Sequence, residues 1–384
     1  MKKSLALILA VLMLVPCFLT AASAAWGDPK VEEPAKAAEG YVLVKDECIF
    51  QDDEGVEKSF TEWSYNKAGQ PIREVTERYG QDEDTYEEYL AWTKTTTYAY
   101  DGSGDLTRKA TTTVGYGGST SKEVTAYVYN QDGDLVKESR SYKGGGGPEK
   151  SVIKYAYDRD DNLVKRSAVF VYYSSTRKEA SAYTYNSAGQ QTKEITIVRR
   201  PDETEKTVIA YAYDKKGNLK KTACKKYVDG EQVGTYAEAN TYDKQGKLTK
   251  TRYVERGTDG TNIQITRLYT YWKNGKLKKT VDTKTNNPNY LRTITYNKDG
   301  KLLKDEAIDK KTKELDRSRE CIYDENGRLK ETNYFDSYFN DGFDSSTEYT
   351  YDENGNILIE HYSQGGEDIW GSRDHFYTYQ KIGA

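Results

Sequence analysis

His361 and His375 are the only two histidines of the chain, both close to its C-terminal end. An imidazole acting as general base needs a nucleophile beside it, and no Gly-x-Ser-x-Gly elbow is present to supply one. The two read as strand or turn residues, and no catalytic residue is expected. Cys17 falls in the N-terminal apolar segment, which leaves Cys48, Cys224 and Cys321, an odd set with no metal-ligand spacing. They read as separate buried thiols, with one bridge and a spare thiol as the alternative. Asn130-Gln131-Asp132-Gly133-Asp134 and Asp158-Arg159-Asp160-Asp161-Asn162 invite a calcium reading, but an EF-hand loop needs Glu where this chain has Ser141 and Val169. Turn chemistry accounts for the same acids without a metal. Gly144 to Gly147 lacks the Gly-Lys-Ser/Thr ending of a phosphate loop and reads as a connector. No acid pair suited to glycoside hydrolysis stands out among 61 Asp and Glu. No enzyme activity, cofactor or metal is expected.

The chemistry that does stand out is aromatic. The chain holds 35 Tyr in 384 residues. They fall in a string, Tyr-x-Tyr-Asp/Asn-x-x-Gly-x-Leu, whose second aromatic is Tyr65, Tyr100, Tyr129, Tyr157, Tyr185, Tyr213, Tyr242, Tyr271, Tyr296, Tyr323, Tyr351 and Tyr379. Most steps are 28 or 29 residues. Rings presented in rows can stack on the faces of sugars. The candidate ligand face is therefore Tyr98, Tyr100, Tyr127, Tyr129, Tyr155, Tyr157, Tyr183, Tyr185, Tyr211 and Tyr213. The structural alternative is that these rings cover one side of a sheet and become its interior when the sheet curls.

The elements that position them follow from the turn. In Tyr211-Ala212-Tyr213-Asp214-Lys215-Lys216-Gly217-Asn218-Leu219, Asp214 can bond the turn backbone and Gly217 accepts the left-handed conformation. This is a three-residue hairpin loop, which predicts Tyr213 opposite Leu219 and Tyr211 opposite Lys221, all four on one face. Leu or Ile takes the Leu219 place in nearly every copy, Pro71 and Gln191 being the exceptions, and the Lys221 place is mostly basic, as in Arg73, Arg108, Lys279 and Lys304. A lysine stem lying along a Tyr ring makes sense of that pairing. Ala99, Val128, Ala156, Thr184, Ala212, Thr241, Thr270 and Thr350, between the paired aromatics, face the other way. Looser outer turns complete each unit, among them Asp229-Gly230, Asn286-Asn287-Pro288 and Asp341-Gly342. The fold class expected is all-β: tandem antiparallel hairpins of about 28 residues in an extended or spiral sheet, curled toward a partial shell. A lone hairpin is marginal in water, so stability must be collective.

The N-terminal end carries Met1-Lys2-Lys3, an apolar run from Leu5 to Val15 and a small-residue site, Ala22-Ser23-Ala24. These are the three parts of a secretory signal peptide, and the run is too short for a membrane span. The organisation expected is a signal peptide over 1–24, a linker over 25–40 and the repeat array over 41–384, giving a secreted or cell-surface protein. Without Lys2 and Lys3 the balance is 55 basic against 61 acidic residues, a net of −6. Such a balance predicts no nucleic-acid footprint.

Tyr155-Ala156-Tyr157-Asp158, Tyr211-Ala212-Tyr213-Asp214 and Tyr349-Thr350-Tyr351-Asp352 with Gly355 resemble the YD repeat of rearrangement-hotspot (Rhs) and teneurin-type proteins. The resemblance covers about residues 60–384 and implies hairpins winding into a spiral sheet that can curl into a shell. The 28-residue step is longer than usual for that family, and neither an Rhs core segment nor a toxin domain follows the repeats. The leading functional expectation is an exported, non-enzymatic repeat protein that binds or adheres, to cell-wall or host glycan through the tyrosine face, or to a surface protein. The alternative is a structural shell enclosing a partner or cargo. The least repetitive stretches, Gly80 to Thr97 and Asn333 to Ser346, are candidate sources of specificity.

Overall fold

The computed structural model describes residues 37, 40–52, 55–81, 85, 87–145, 147–337, 343–365 and 371–382. The expected signal peptide, nearly all of the linker and the Asp341-Gly342 turn lie outside the described residues. The strands all belong to the Glu33–Ala384 unit. They are β1 Tyr41–Asp52, β2 Gly55–Tyr65, β3 Pro71–Gln81, β4 Glu88–Tyr100, β5 Leu106–Gly115, β6 Thr120–Tyr129, β7 Leu135–Gly144 and β8 Gly147–Tyr157. Next come β9 Leu163–Val171, β10 Thr176–Tyr185, β11 Gln191–Arg199, β12 Thr204–Tyr213, β13 Leu219–Val228, β14 Glu231–Tyr242, β15 Leu248–Gly257 and β16 Asn262–Tyr271. The last are β17 Leu277–Lys284, β18 Tyr290–Tyr296, β19 Leu302–Asp309, β20 Leu315–Tyr323, β21 Leu329–Asp336, β22 Phe343–Tyr351, β23 Ile357–Gln364 and β24 Gly371–Lys381.

Each strand pairs antiparallel with the strands before and after it in the chain, and β24 pairs with β1. The 24-stranded sheet therefore closes on itself and leaves no edge. At ~4.8 Å per strand its perimeter is roughly 115 Å, or about 37 Å across if circular, and strand tilt widens it further. Closure goes beyond the partial shell expected from sequence.

The two ends of the array supply the two halves of one hairpin. Tyr379 of β24 stands opposite Leu43 of β1, as Tyr213 stands opposite Leu219. Lys45 then takes the place of the repeat's basic residue, opposite Thr378. The half-unit that begins near Tyr377 is completed by the first strand.

The turns form as their residues dictate. Gly217 N–H donates to Asp214 O at 3.0 Å, Asp214 N–H to Asn218 O at 2.9 Å, and Gly217 has φ +85°. Asp161, which replaces this glycine in one copy, takes φ +60°. The side chain of Asp214 accepts from the N–H groups of Lys216 and Asn218. Asp158 does the same for Asp160 and Asn162, so its carboxylate serves its own turn.

One part of the expected register is corrected. Tyr213 is opposite Leu219, but Lys221 is opposite Ala212, and Tyr211 is opposite Thr222. A β-bulge at Lys220 inserts one residue beside the turn, and one residue of slip moves every later side chain to the opposite face. The same shift occurs at the other paired hairpins, placing Arg108 opposite Ala99, Lys137 opposite Val128 and Lys279 opposite Thr270. The repeated basic residues thus stand on the face opposite the tyrosines.

The tyrosine face is the inside. Side chains on the concave face of a closed sheet converge while those on the convex face splay. Every described buried strand side chain lies on the tyrosine face, including Val198, Ile209, Cys224, Tyr253, Arg292 and Ala307. Val114, Val128, Val169 and Leu268, on the other face, are exposed. The net charge of −4 is accordingly a sum over two unlike surfaces. Glu123, Glu138, Glu179, Glu194 and Asp282 face inward, whereas Lys122, Lys150, Lys178, Lys206, Lys225 and Arg256 face outward and are exposed.

Candidate functional site: the tyrosine-lined lumen

All ten tyrosines of the candidate ligand face line the lumen, and each is half-buried. The two members of each pair do different work. The second lies across the neighbouring strand, and its hydroxyl donates to a backbone carbonyl of the preceding repeat. Tyr100 reaches Pro71 O at 2.8 Å, Tyr129 reaches Leu106 O at 3.0 Å, and Tyr157 reaches Leu135 O at 3.0 Å. Tyr185 and Tyr213 bond Leu163 O and Gln191 O, both at 2.8 Å. Tyr379 bonds Ile357 O at 2.7 Å, and Tyr65 on β2 bonds Leu43 O on the adjacent β1. These latches tie consecutive hairpins together at the end of the barrel that carries the repeated turns, and each contributes about 0.5–1.5 kcal/mol.

The first member of each pair sits deeper and meets charge. Tyr98 donates to Glu74 at 2.8 Å, and Lys109 lies 5.6 Å above its ring. Tyr127, Tyr155, Tyr183 and Tyr211 stand opposite Glu138, Arg166, Glu194 and Thr222. Burial, and then the carboxylate of Glu138, pushes the Tyr127 hydroxyl up to about 12; burial, and then Glu194, does the same to Tyr211. These phenols stay protonated and can donate hydrogen bonds across the physiological range. Elsewhere in the lumen several ring faces are taken by the protein's own groups. Lys247 lies over Tyr271 at 5.5 Å, Lys284 over Tyr290 at 4.0 Å and Arg328 over Tyr351 at 4.4 Å, while Tyr236 stacks on Tyr253 at 6.2 Å.

Between β16 and β19 the lumen wall holds an ionic ladder that the sequence reading missed. Arg267 makes a two-pronged pair with Asp282 at 2.6 and 2.5 Å, and Arg292 does so with Asp305 at 2.8 and 2.6 Å. Asp282 is also the register partner of Arg292. The side chains of Arg292 and Asp305 are only 2% and 8% exposed. Planar guanidinium groups suit this task because their donors match both carboxylate oxygens.

The closure seam assembles a second cluster. His375 on β24 faces Cys48 on β1, its Nδ1 lies 2.8 Å from Asp46 Oδ1, and Tyr377 stacks beside it at 5.7 Å. Burial opposes charge on His375, but the hydrogen bond to Asp46 and the contact with Cys48 outweigh it and raise its pKa to about 9. Only closure of the barrel brings these residues together across the chain, so no spacing in the sequence could signal them. A thiol, an imidazole and a carboxylate are the parts of a nucleophilic triad. Here they lie within two strands that are each paired on both sides. His361 sits on the outer face beside Asp374. Cys224 and Cys321 are free, buried and lumen-facing, and burial pushes the Cys224 thiol up to about 11. Among the described residues no group of three or more His, Cys, Asp or Glu could hold a metal.

Of the two irregular stretches, the first carries Trp92, which faces the lumen opposite Arg78, and Tyr89, which meets Tyr116 edge-on at 5.4 Å. In the second, Tyr334 faces the lumen with Arg319 5.7 Å from its ring, and the turn itself lies outside the described residues.

No protein-family model matches the chain, and no curated protein does. Among solved structures it is similar to TcdB2-TccC3-TEV, with 13% identity, 80% of this chain and 20% of that one covered, and a TM-score of 0.26. TcdB2-TccC3 without its hypervariable C-terminal region gives 12% identity, 81% and 21% coverage, and a TM-score of 0.29. A porin-like protein from Bacteroides uniformis gives 11% identity, 91% and 100% coverage, and a TM-score of 0.29. The chain spans about a fifth of the length of the TcdB2-TccC3 structures.

Proposed function

We propose that this chain is an exported, non-enzymatic β-ring that holds a segment of a partner polypeptide in its lumen. The observation that carries this reading is closure with the tyrosines and paired ions inward. A circular ring of about 37 Å between backbones leaves room, inside its side chains, for a helix about 10 Å across or an extended chain. Its Tyr hydroxyls, its carboxylates and its cations suit the mixed donors and acceptors of a peptide. Adhesion to glycan through an open aromatic platform fits this geometry less well, because the rings face the lumen and cations already occupy several ring faces. The outer face also does not suit lipid. Arg252 and Glu306 point outward near mid-strand, where a membrane barrel carries an apolar band and a cation costs about 2–4 kcal/mol. No helix among the described residues is long and apolar enough to cross a membrane.

A photo-crosslinking amino acid at Tyr211 and, separately, at adjacent Ala212 tests the reading. These positions differ by one residue and by the full thickness of the wall. In the producing cell, the Tyr211 position should capture a defined polypeptide and the Ala212 position should not. Capture from Ala212 alone, with the Tyr211 variant folded, would contradict enclosure.

A further inference from the structure

We propose that the outward wall of β5–β18 is a docking surface for a flexible linear polyanion that carries phosphate or carboxylate groups and no aromatic bases. The bulge beside each repeated turn puts one basic residue per hairpin on the outside. Arg108, Lys137, Lys165, Lys193, Lys221 and Lys250 form a belt on every second strand, all exposed. At ~4.8 Å per strand, successive members are about 10 Å apart. None of the six is in an ion pair among the described residues. Their cross-strand neighbours are uncharged or basic, never acidic: Lys221 lies between Ala212 and Ala239, Lys193 between Thr184 and Ala210, and Lys137 between Val128 and Lys154.

The surrounding wall makes this more than an ordinary solvated row. With acids and bases nearly equal in number, an outer face should mix both signs. Across β5–β18, however, every charged strand residue that points outward is Lys or Arg, and the acids of these strands face the lumen. Outward acids return only on the remaining strands, as Glu62 and Glu306. Carboxylates at the repeated turns are engaged by their own backbone, as at Asp158 and Asp214. A basic wall unbalanced by local acid attracts polyanions and releases their counterions on binding. It lacks rows of aromatic rings on which unpaired bases would stack, which favours a polymer of the phosphodiester-polyol or uronate kind over nucleic acid. A convex wall also suits a chain that can wrap better than a planar membrane. This inference does not depend on what occupies the lumen.

The test is fluorescence anisotropy of labelled long-chain inorganic polyphosphate with the purified mature chain, between 50 and 300 mM salt. Log affinity should fall linearly with log salt. The variant Lys165→Gln/Lys193→Gln/Lys221→Gln/Lys250→Gln should bind more weakly, with its slope shallower by roughly 3, at ~0.7 per lost contact. A control carrying Lys45→Gln/Lys58→Gln/Lys304→Gln, on the acid-bearing strands, should bind as the parent does. Equal binding by the two variants, or none at 50 mM salt, overturns the proposal. Tighter binding of single-stranded DNA than of polyphosphate overturns the choice of polymer. Anionic vesicles that compete as well per phosphate overturn the linear geometry.

Discussion

Asp305→Ala is expected to destabilise the barrel by about 3–5 kcal/mol, the usual cost of leaving a buried ion without its partner. Asp305 gives both oxygens to Arg292, whose side chain is 2% exposed and cannot turn to water without opening the wall. Arg292 also neighbours Arg267 electrostatically, so losing a carboxylate leaves two cations in one buried ladder. The pair need not add net stability, because taking both charges out of water costs much of what their attraction returns. The double variant Arg292→Met/Asp305→Leu should therefore lie close to the parent or above it. Urea denaturation followed by circular dichroism compares the three proteins. A single variant as stable as the parent would mean that this stretch of the lumen is wetter than its packing shows.

The closure seam should lose stability as pH rises from about 6.5 to 9. His375 carries its proton up to about 9 in the folded barrel, against an ordinary value near 6.5 when unfolded. A raised folded value means that its contribution is complete below 6.5 and disappears as pH passes through 9. Asp46, Cys48, Glu360 and Tyr377 are the groups facing it. A shift of this size corresponds to at most about 3 kcal/mol, reduced by the solvent that still reaches the ring. Thermal melts of the parent should fall across this window, and Asp46→Asn should flatten the decline. A parent melting temperature independent of pH between 6.5 and 9 would show that the seam is not linked to this proton.

Much of the fold was legible because the repeat encodes its own turn. Asp214 and Gly217 determine the loop, Tyr213 and Leu219 face each other as expected, and Ala212 points away from the tyrosines. The side taken by Lys221 was not legible, because Lys220 enters a bulge that no residue preference announces and that inverts everything beyond it. That reversal also hid the basic wall, since composition counts charges without saying which face each occupies. Closure and the Cys48–His375–Asp46 cluster rest on contact between the two ends of the array. Local patterning carries little information about such contact, although Leu43 and Lys45 hold the places that the last half-hairpin lacks. The ionic ladder was hidden for a related reason. Charged residues also occupy equivalent lumen positions in other copies, as at Glu138, Arg166 and Glu194, and only packing shows that Arg267, Asp282, Arg292 and Asp305 are the buried ones.

The ring itself is tested most directly at Gln51 and Ser372, register partners on β1 and β24. Opposed residues in an antiparallel pair have Cα atoms about 4.5–5.5 Å apart, within the reach of a disulfide. In a background where Cys48, Cys224 and Cys321 are replaced by Ser, Gln51→Cys/Ser372→Cys should oxidise to an intramolecular bond in the monomer, seen as a mobility shift that reductant reverses. Only intermolecular dimers, or free thiols after oxidation of a folded protein, would mean that the sheet is open and that its tyrosine face does not enclose a lumen.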